Sequence, residues 1–125
     1  DVSKKAYFEK LATNSEDEYT KYYSIYHYSM FLGRMDDKTV LEGVDYLENW
    51  GKTDTEKYSN RVAQSALTRV ANAYTIKADS YKNEIKNASG LTSGQTVAME
   101  NEYADLLLVL DRINEATNSL KAKSK

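Results

Sequence analysis

The chain contains no proline in 125 residues. Proline removes a backbone hydrogen-bond donor and clashes with the preceding turn of an α-helix, so long uninterrupted helices are depleted of it. Only five glycines occur, and the strict alternation of apolar and polar residues that marks a half-buried strand never persists beyond a few positions. The sequence therefore predicts an all-α fold.

Composition indicates a globular protein and excludes several classes of partner. With 41% hydrophobic and 29% charged residues, residues 1–125 are predicted to form a single helical-bundle domain. The 17 basic and 19 acidic residues are interspersed and leave a net charge of −2, which gives no reason to expect a nucleic-acid partner. The longest apolar run covers only residues 106–110, whereas a bilayer-spanning helix needs roughly 20 apolar residues. The covered chain is therefore not expected to be integral to a membrane.

Three capping-box patterns mark predicted helix starts. In a capping box, two side chains three positions apart satisfy unpaired backbone donors of the first turn. The three pairs are Ser15 with Glu18, Thr53 with Glu56 and Thr92 with Gln95. Gly51 and Gly90 stand where two helices would end. The predicted helices lie near residues 16–35, 39–50, 54–89 and 93–121.

These helices close most simply as a four-helix bundle with a short second helix and long third and fourth helices. Apolar residues of the fourth helix recur at alternating spacings of four and three, as in a bundle seam. The seam positions are Met99, Tyr103, Leu106, Leu110, Ile113, Thr117 and Leu120. Residues 4–12 also carry apolar residues on one helical face, and they form either a separate short helix or an extension of the first.

No local pattern for catalysis, metal binding or cofactor binding is present in the sequence. The chain has no cysteine, and neither a phosphate-binding glycine loop nor a nucleophile elbow occurs. The single histidine, His27, has no glutamate or histidine three or four positions away with which to share a metal. A hydrogen-bonded interior or interface imidazole is the simpler interpretation. The sequence predicts a non-enzyme without metal or cofactor.

Tyrosine is the most distinctive residue type, with eleven in the chain and five within residues 19–28. At 100° per residue, one helical face carries Tyr19, Tyr22, Tyr23, Tyr26 and Met30, and the other carries Ile25, Tyr28, Phe31, Leu32 and Met35. Because residues 22–33 include no formal charge, this helix needs cover from its own domain or from another molecule.

Two interpretations of this helix remain open. The tyrosines either fill the core and send their hydroxyls to its edges, or they form a surface of rigid amphipathic side chains that binds a partner. Under the second interpretation at least one tyrosine of the first face should be partly exposed. The candidate partner-binding residues are then Tyr19, Tyr22, Tyr23, Tyr26 and His27.

The function predicted from these observations is a non-enzymatic helical binding module that recognises a protein, peptide or small-molecule ligand through the tyrosine-rich helix, with a homodimer as a further option. The alternative is the extracytoplasmic ligand-sensing domain of a membrane receptor, which is an analogy of fold only. A start at Asp1 instead of Met is typical of a mature product or an excised fragment, which favours an extracytoplasmic location, either secreted, periplasmic or anchored at the cell surface. Thirteen lysines against four arginines are typical of an AT-rich microbial genome. A helical enzyme whose site assembles only in three dimensions is a third hypothesis.

The fold class is tested by far-UV circular dichroism. The spectrum of the purified protein should be dominated by α-helix, because the sequence lacks both proline and strand periodicity. A spectrum that requires a sheet of three or more strands would contradict the all-α prediction.

Overall fold

The structure, a computed structural model, describes residues 2–124, so the two ends of the predicted domain, Asp1 and Lys125, lie outside it. These residues form five α-helices and no strand, which confirms the all-α class. The helices are α1 (Val2–Asn14), α2 (Glu18–Leu32), α3 (Asp37–Thr53), α4 (Ser59–Asn87) and α5 (Ser93–Ser124). The predicted four-helix bundle is not confirmed, because residues 4–12 belong to a helix of their own.

Aspartate side chains begin α2 and α3. The Asp17 carboxylate accepts from the Thr20 backbone N–H at 2.9 Å, and Asp36 accepts from Thr39 in the same way at 2.9 Å. The predicted capping box at Ser15 is therefore wrong, since the Ser15 hydroxyl instead accepts from the Asp17 N–H. A carboxylate is the stronger acceptor at a positive helix N-terminus, so Asp17 takes the capping position two residues later.

The third predicted capping box is confirmed at the start of α5. Thr92 Oγ1 accepts from the Gln95 N–H at 3.1 Å, and Gln95 Oε1 accepts from the Thr92 N–H at 2.9 Å. Gly90 precedes this box with φ +71°, a backbone conformation that glycine adopts without the steric cost of a Cβ. The sequence therefore predicts the turn between α4 and α5 correctly.

The predicted end of the second helix at Gly51 is wrong. α3 continues to Thr53 and has 17 residues, so it is not a short helix. Gly51 is buried, and a Cβ added there would lie 2.6 Å from Ala63 Cβ. The glycine therefore allows α3 and α4 to approach closely and does not terminate a helix.

The predicted capping box at Thr53 is also wrong, because Thr53 is the last residue of α3. α4 starts only at Ser59, and Tyr58 precedes it without a side-chain cap. The Asp54 carboxylate holds this connection by accepting from the Ser59 hydroxyl and from Lys21 Nζ of α2, the latter at 2.9 Å. A tertiary contact with α2 thus sets the start of α4. A local sequence pattern cannot predict such a contact.

α4 is the central helix, since it packs against α2, α3 and α5, while α1 packs on α2. α3 runs antiparallel to α4, because Gly51 lies beside Ala63 whereas Asp37 accepts a hydrogen bond from the Tyr74 hydroxyl at 2.7 Å. Beyond Tyr74, α4 and α5 continue together, and Ala78 is the only fully buried residue of residues 75–105. This two-helix extension, residues 75–105, is called the distal hairpin below.

The seam predicted for α5 is confirmed in most of its positions within the bundle. Leu106, Ile113, Thr117 and Leu120 are buried, whereas Met99, Tyr103 and Leu110 are half-buried. The prediction missed Val109 and Ala116, which are buried as well. α5 contacts α3 and α4 together, so its buried stripe is wider than a two-position seam.

Two leucines of α5 provide a matched test of this packing. Leu106 is 5% exposed and Leu108 is 65% exposed. Leu106→Ala should lower the free energy of unfolding by about 2–5 kcal/mol through lost burial and a residual cavity. Leu108→Ala should change it by no more than about 0.5 kcal/mol. Urea unfolding measures both, and equal losses would show that the orientation of α5 is wrong.

Candidate functional site

α2 turns one side to the core and leaves the opposite side uncovered. Its buried residues are Lys21, Ser24, Ile25, Tyr28, Ser29 and Leu32. Tyr19 is 78% exposed, Tyr23 64% and Tyr26 44%, and Met30 is exposed beside them. These four residues are called the tyrosine face. The prediction that at least one tyrosine here is partly exposed is confirmed, whereas partner binding by these residues stays a prediction.

The hydroxyl groups divide the tyrosines of α2 into two kinds. The half-buried Tyr22 donates its hydroxyl to the Glu18 carboxylate at 2.7 Å and accepts from the Tyr58 backbone N–H at 3.0 Å. Burial, followed by the bond to Glu18, raises the pKa of Tyr22 to about 12. Within residues 2–124, the hydroxyls of Tyr19, Tyr23 and Tyr26 have no hydrogen-bond partner. The hydroxyls of Tyr19, Tyr23 and Tyr26 therefore remain available to a partner. The hydroxyl of Tyr22 is used within the fold.

His27 lies half-buried at the edge of the tyrosine face. Its ring centroid is 4.2 Å from that of Tyr23, 5.4 Å from that of Tyr26 and 6.0 Å from that of Phe8. The predicted hydrogen-bonded imidazole is not found, since no residue of 2–124 makes a hydrogen bond with it. Nor does this part of the chain bring three or more metal-ligating side chains together. In this structure His27 is an aromatic packing residue that supports Tyr23 and Tyr26.

A buried ion pair fixes the α3–α4 connection against α2. Lys21 is only 8% exposed, and its ammonium group lies 2.9 Å from the Asp54 carboxylate and 3.9 Å from that of Glu56. The bond from the Tyr58 N–H to the Tyr22 hydroxyl adds a second contact at the next residue of α2. Sequence reasoning missed this pair, because nothing local distinguishes Lys21 from a solvated lysine. The two ties hold Tyr58 beside α2.

A groove of about 300 Å³ lies between α2 and α4, next to the tyrosine face. Its lining residues are Tyr22, Tyr26, Tyr58, Arg61, Val62, Ser65 and Arg69. Arg69 is fixed there, since its Nη1 donates to the buried Ser29 hydroxyl at 2.7 Å and its guanidinium lies 4.5 Å from the Tyr26 ring centroid. The groove therefore combines aromatic walls with a positioned cation.

The residues that line the groove include two arginines and no aspartate or glutamate. Neither Arg61 nor Arg69 has a carboxylate of residues 2–124 within 4 Å. A second depression shares both arginines and adds Lys121, and its lining again includes no aspartate or glutamate. By contrast, Arg112 lies 2.8 Å from Asp45 and 2.7 Å from Glu48. The two groove arginines differ from Arg112 in lacking a counter-charge.

Sequence reasoning missed these arginines, although a signal was present. Arg61, Ser65 and Arg69 recur every four residues, which places them on one face of α4. The two arginines do not form a cluster in the linear sequence, because they are eight positions apart and come together only on the helix. The candidate site therefore includes α4 as well as the predicted residues of α2.

Comparisons with protein-family models, with curated proteins and with solved structures gave no match to the chain. Measured against the length and apolarity that a bilayer crossing demands, every helix within residues 2–124 falls short.

The two kinds of tyrosine are tested by removing single hydroxyls. Tyr22→Phe should lower the free energy of unfolding by about 1 kcal/mol, because it leaves the Tyr58 N–H and Glu18 without their partner. Tyr19→Phe, the matched control, should change it by less than about 0.5 kcal/mol. Urea unfolding at neutral pH provides both values. An unchanged free energy of unfolding for Tyr22→Phe would contradict the structural role assigned to the Tyr22 hydroxyl.

Proposed function

We propose that this protein is a non-enzymatic helical binding module that recognises a protein, peptide or small-molecule ligand through the tyrosine face and the groove beside it. It acts outside the cytoplasm, as a secreted, periplasmic or surface-anchored protein. The observation that supports the proposal most directly is that Tyr19, Tyr23 and Tyr26 share one exposed face and that their hydroxyls have no partner within residues 2–124.

Tyrosine suits such a surface for physical reasons. Its ring offers a large contact area with few rotatable bonds, so binding immobilises little side-chain entropy, and its hydroxyl supplies a polar contact at the rim. Tyrosine and arginine are both enriched among the residues that dominate binding energy at protein interfaces. Tyr23 and Tyr26 are further supported by ring contacts with His27, so they are partly preorganised.

The receptor-sensor alternative is supported less well by the helix directions. α1 runs in the same direction as α3, since Glu9 meets Tyr46 and Ala12 meets Trp50. α5 also runs with α3, since Arg112 meets Glu48 and Leu120 meets Gly51. α1 therefore starts at one end of the bundle and α5 ends at the other. A sensor with both flanking segments in one membrane would be expected to have these two helix ends on the same side.

The binding proposal is tested by photo-crosslinking in cells that produce the protein. Benzoylphenylalanine placed at Tyr23, in the centre of the tyrosine face, should capture a discrete partner. Capture should fall at least about tenfold when Tyr19 and Tyr26 are both replaced by Ala, because aromatic residues dominate interface energy. Quantitative immunoblotting of the crosslinked species provides the measurement.

The matched control places the same crosslinker at Ile76, which is 71% exposed on the distal hairpin. Equal capture at both positions, or capture at Ile76 alone, would contradict a role for the tyrosine face. Fractionation of the same cells tests the location, and recovery of the protein only from the cytoplasm would contradict an extracytoplasmic module.

A further inference from the structure

Arg69 is a positioned cation that has no counter-charge among residues 2–124. It is half-buried, and the Ser29 hydroxyl and the Tyr26 ring hold its guanidinium in place. Ser29 is in turn fixed, because its hydroxyl donates to the Tyr26 carbonyl at 2.7 Å. A guanidinium has five N–H donors, and the contacts above use one of them together with one ring face. The remaining donors have no carboxylate within 4 Å among residues 2–124.

Partial burial of Arg69 strengthens its electrostatic attraction to a bound anion. A cation that has lost part of its hydration gains more from an opposite charge than a fully solvated one does, and arginine offers carboxylates a bidentate geometry. Because Arg69 is already ordered, little side-chain entropy is lost when it binds. Arg61 lies two turns earlier on the same face of α4 and lines the same groove. The two together provide neighbouring positions for negative charge.

Apart from the arginines and Ser65, the groove lining is aromatic or apolar. Tyr22, Tyr26, Tyr58 and Val62 supply walls, and Ser65 is the remaining lining residue besides the arginines. A ligand that fits this chemistry carries negative groups next to an apolar side chain. A segment of polypeptide in which aspartate or glutamate alternates with apolar residues has this property.

The charges around the groove favour a short acidic segment over a polyanion. Polynucleotides bind along tracks of many cations, whereas the depressions here are lined by four, Lys57, Arg61, Arg69 and Lys121, in a protein of net charge −2. Three acids at and before the start of α2, Glu16, Asp17 and Glu18, would repel an extended chain of phosphates.

We propose that the α2–α4 groove binds an acidic segment of a protein partner, with carboxylates on Arg61 and Arg69 and an apolar side chain against the tyrosine walls. This inference rests on the proposed function and specifies the chemistry of the partner. The tyrosine face then provides the flanking contact surface.

The test uses two synthetic peptides as probes, one of alternating glutamate and leucine and one in which glutamine replaces every glutamate. Each is titrated to millimolar concentration into ¹⁵N-labelled protein at low ionic strength, and amide and arginine Nε shifts are followed by NMR. The acidic peptide should shift resonances of Arg61, Arg69 and their groove neighbours saturably, and added salt should weaken the effect. No saturable shift in the groove, or equal shifts with the glutamine peptide, would overturn the proposal.

Charge-matched variants separate the groove from the overall charge. Arg61→Gln combined with Arg69→Gln should weaken binding of the acidic peptide at least about tenfold, as expected for loss of charged contacts at a binding site. Lys82→Gln combined with Lys86→Gln removes the same charge from the distal hairpin and should leave the affinity unchanged. Equal weakening by both pairs would overturn the proposal. Replacement of Arg69 could disturb packing, so the single variant Arg61→Gln is measured as well. Because Arg61 is exposed, this variant should keep its fold and still bind the acidic peptide more weakly.

Two further outcomes distinguish this proposal from the function on which it rests. If the crosslinker at Tyr23 captures its partner equally well in the double arginine variant, the groove proposal is wrong and the tyrosine face stands. If no partner is captured at Tyr23, the proposed function itself fails. A single-stranded oligonucleotide that binds the groove more tightly than the acidic peptide would also overturn the choice of a protein segment.

Discussion

The close approach of helices at small residues around α4 determines the rest of the structure. A Cβ added at Gly33 would lie 2.7 Å from Ala73 Cβ, and one added at Gly51 would lie 2.6 Å from Ala63 Cβ. Such spacing leaves no room for side chains between the helices, so α4 contacts α2, α3 and α5 together. With α4 surrounded, no other helix among the described residues remains to cover the outward side of α2 except α1. The exposure of the tyrosine face follows from this packing.

α1 packs on α2, and its hydrogen bonds to α3 restrict it to one flank of α2. The Trp50 indole N–H donates to the Ala12 carbonyl at 2.9 Å, and the Tyr46 hydroxyl donates to the Glu9 carbonyl at 2.8 Å. Both bonds tie α1 to α3, and the hydroxyl of Tyr28 on α2 also donates to Glu9. α1 therefore lies over the Tyr28 side of α2. The side of Tyr19 and Tyr23 stays open to solvent.

Local chemistry is predicted only in part from the sequence, since the capping boxes at Ser15 and Thr53 are wrong, and tertiary contacts are not predicted. The box formed by Thr92 and Gln95 depends only on residues three positions apart, and it was predicted correctly. The prediction that Gly51 ends a helix is wrong, because the glycine allows Ala63 of α4 to pack closely against α3. A local sequence pattern contains no information on this contact between helices. α4 begins late for a similar reason, since Asp54 bonds to Lys21 across 33 positions of the chain. The tyrosine face was identified from periodicity, whereas the side of the helix that the core would take could not be known from α2 alone.

The two halves of the candidate site have one origin in the sequence. Residues 22–33, which include most of α2, carry no formal charge. Arg69 of α4 contacts this stretch at Ser29. Arg112 meets α3 instead, where Asp45 and Glu48 neutralise it. Had α2 carried an acid at position 29, Arg69 would be paired and the groove would lose its free cation. The uncharged stretch therefore supplies Tyr23 and Tyr26 to the tyrosine face and leaves Arg69 beside them without an acidic partner among residues 2–124.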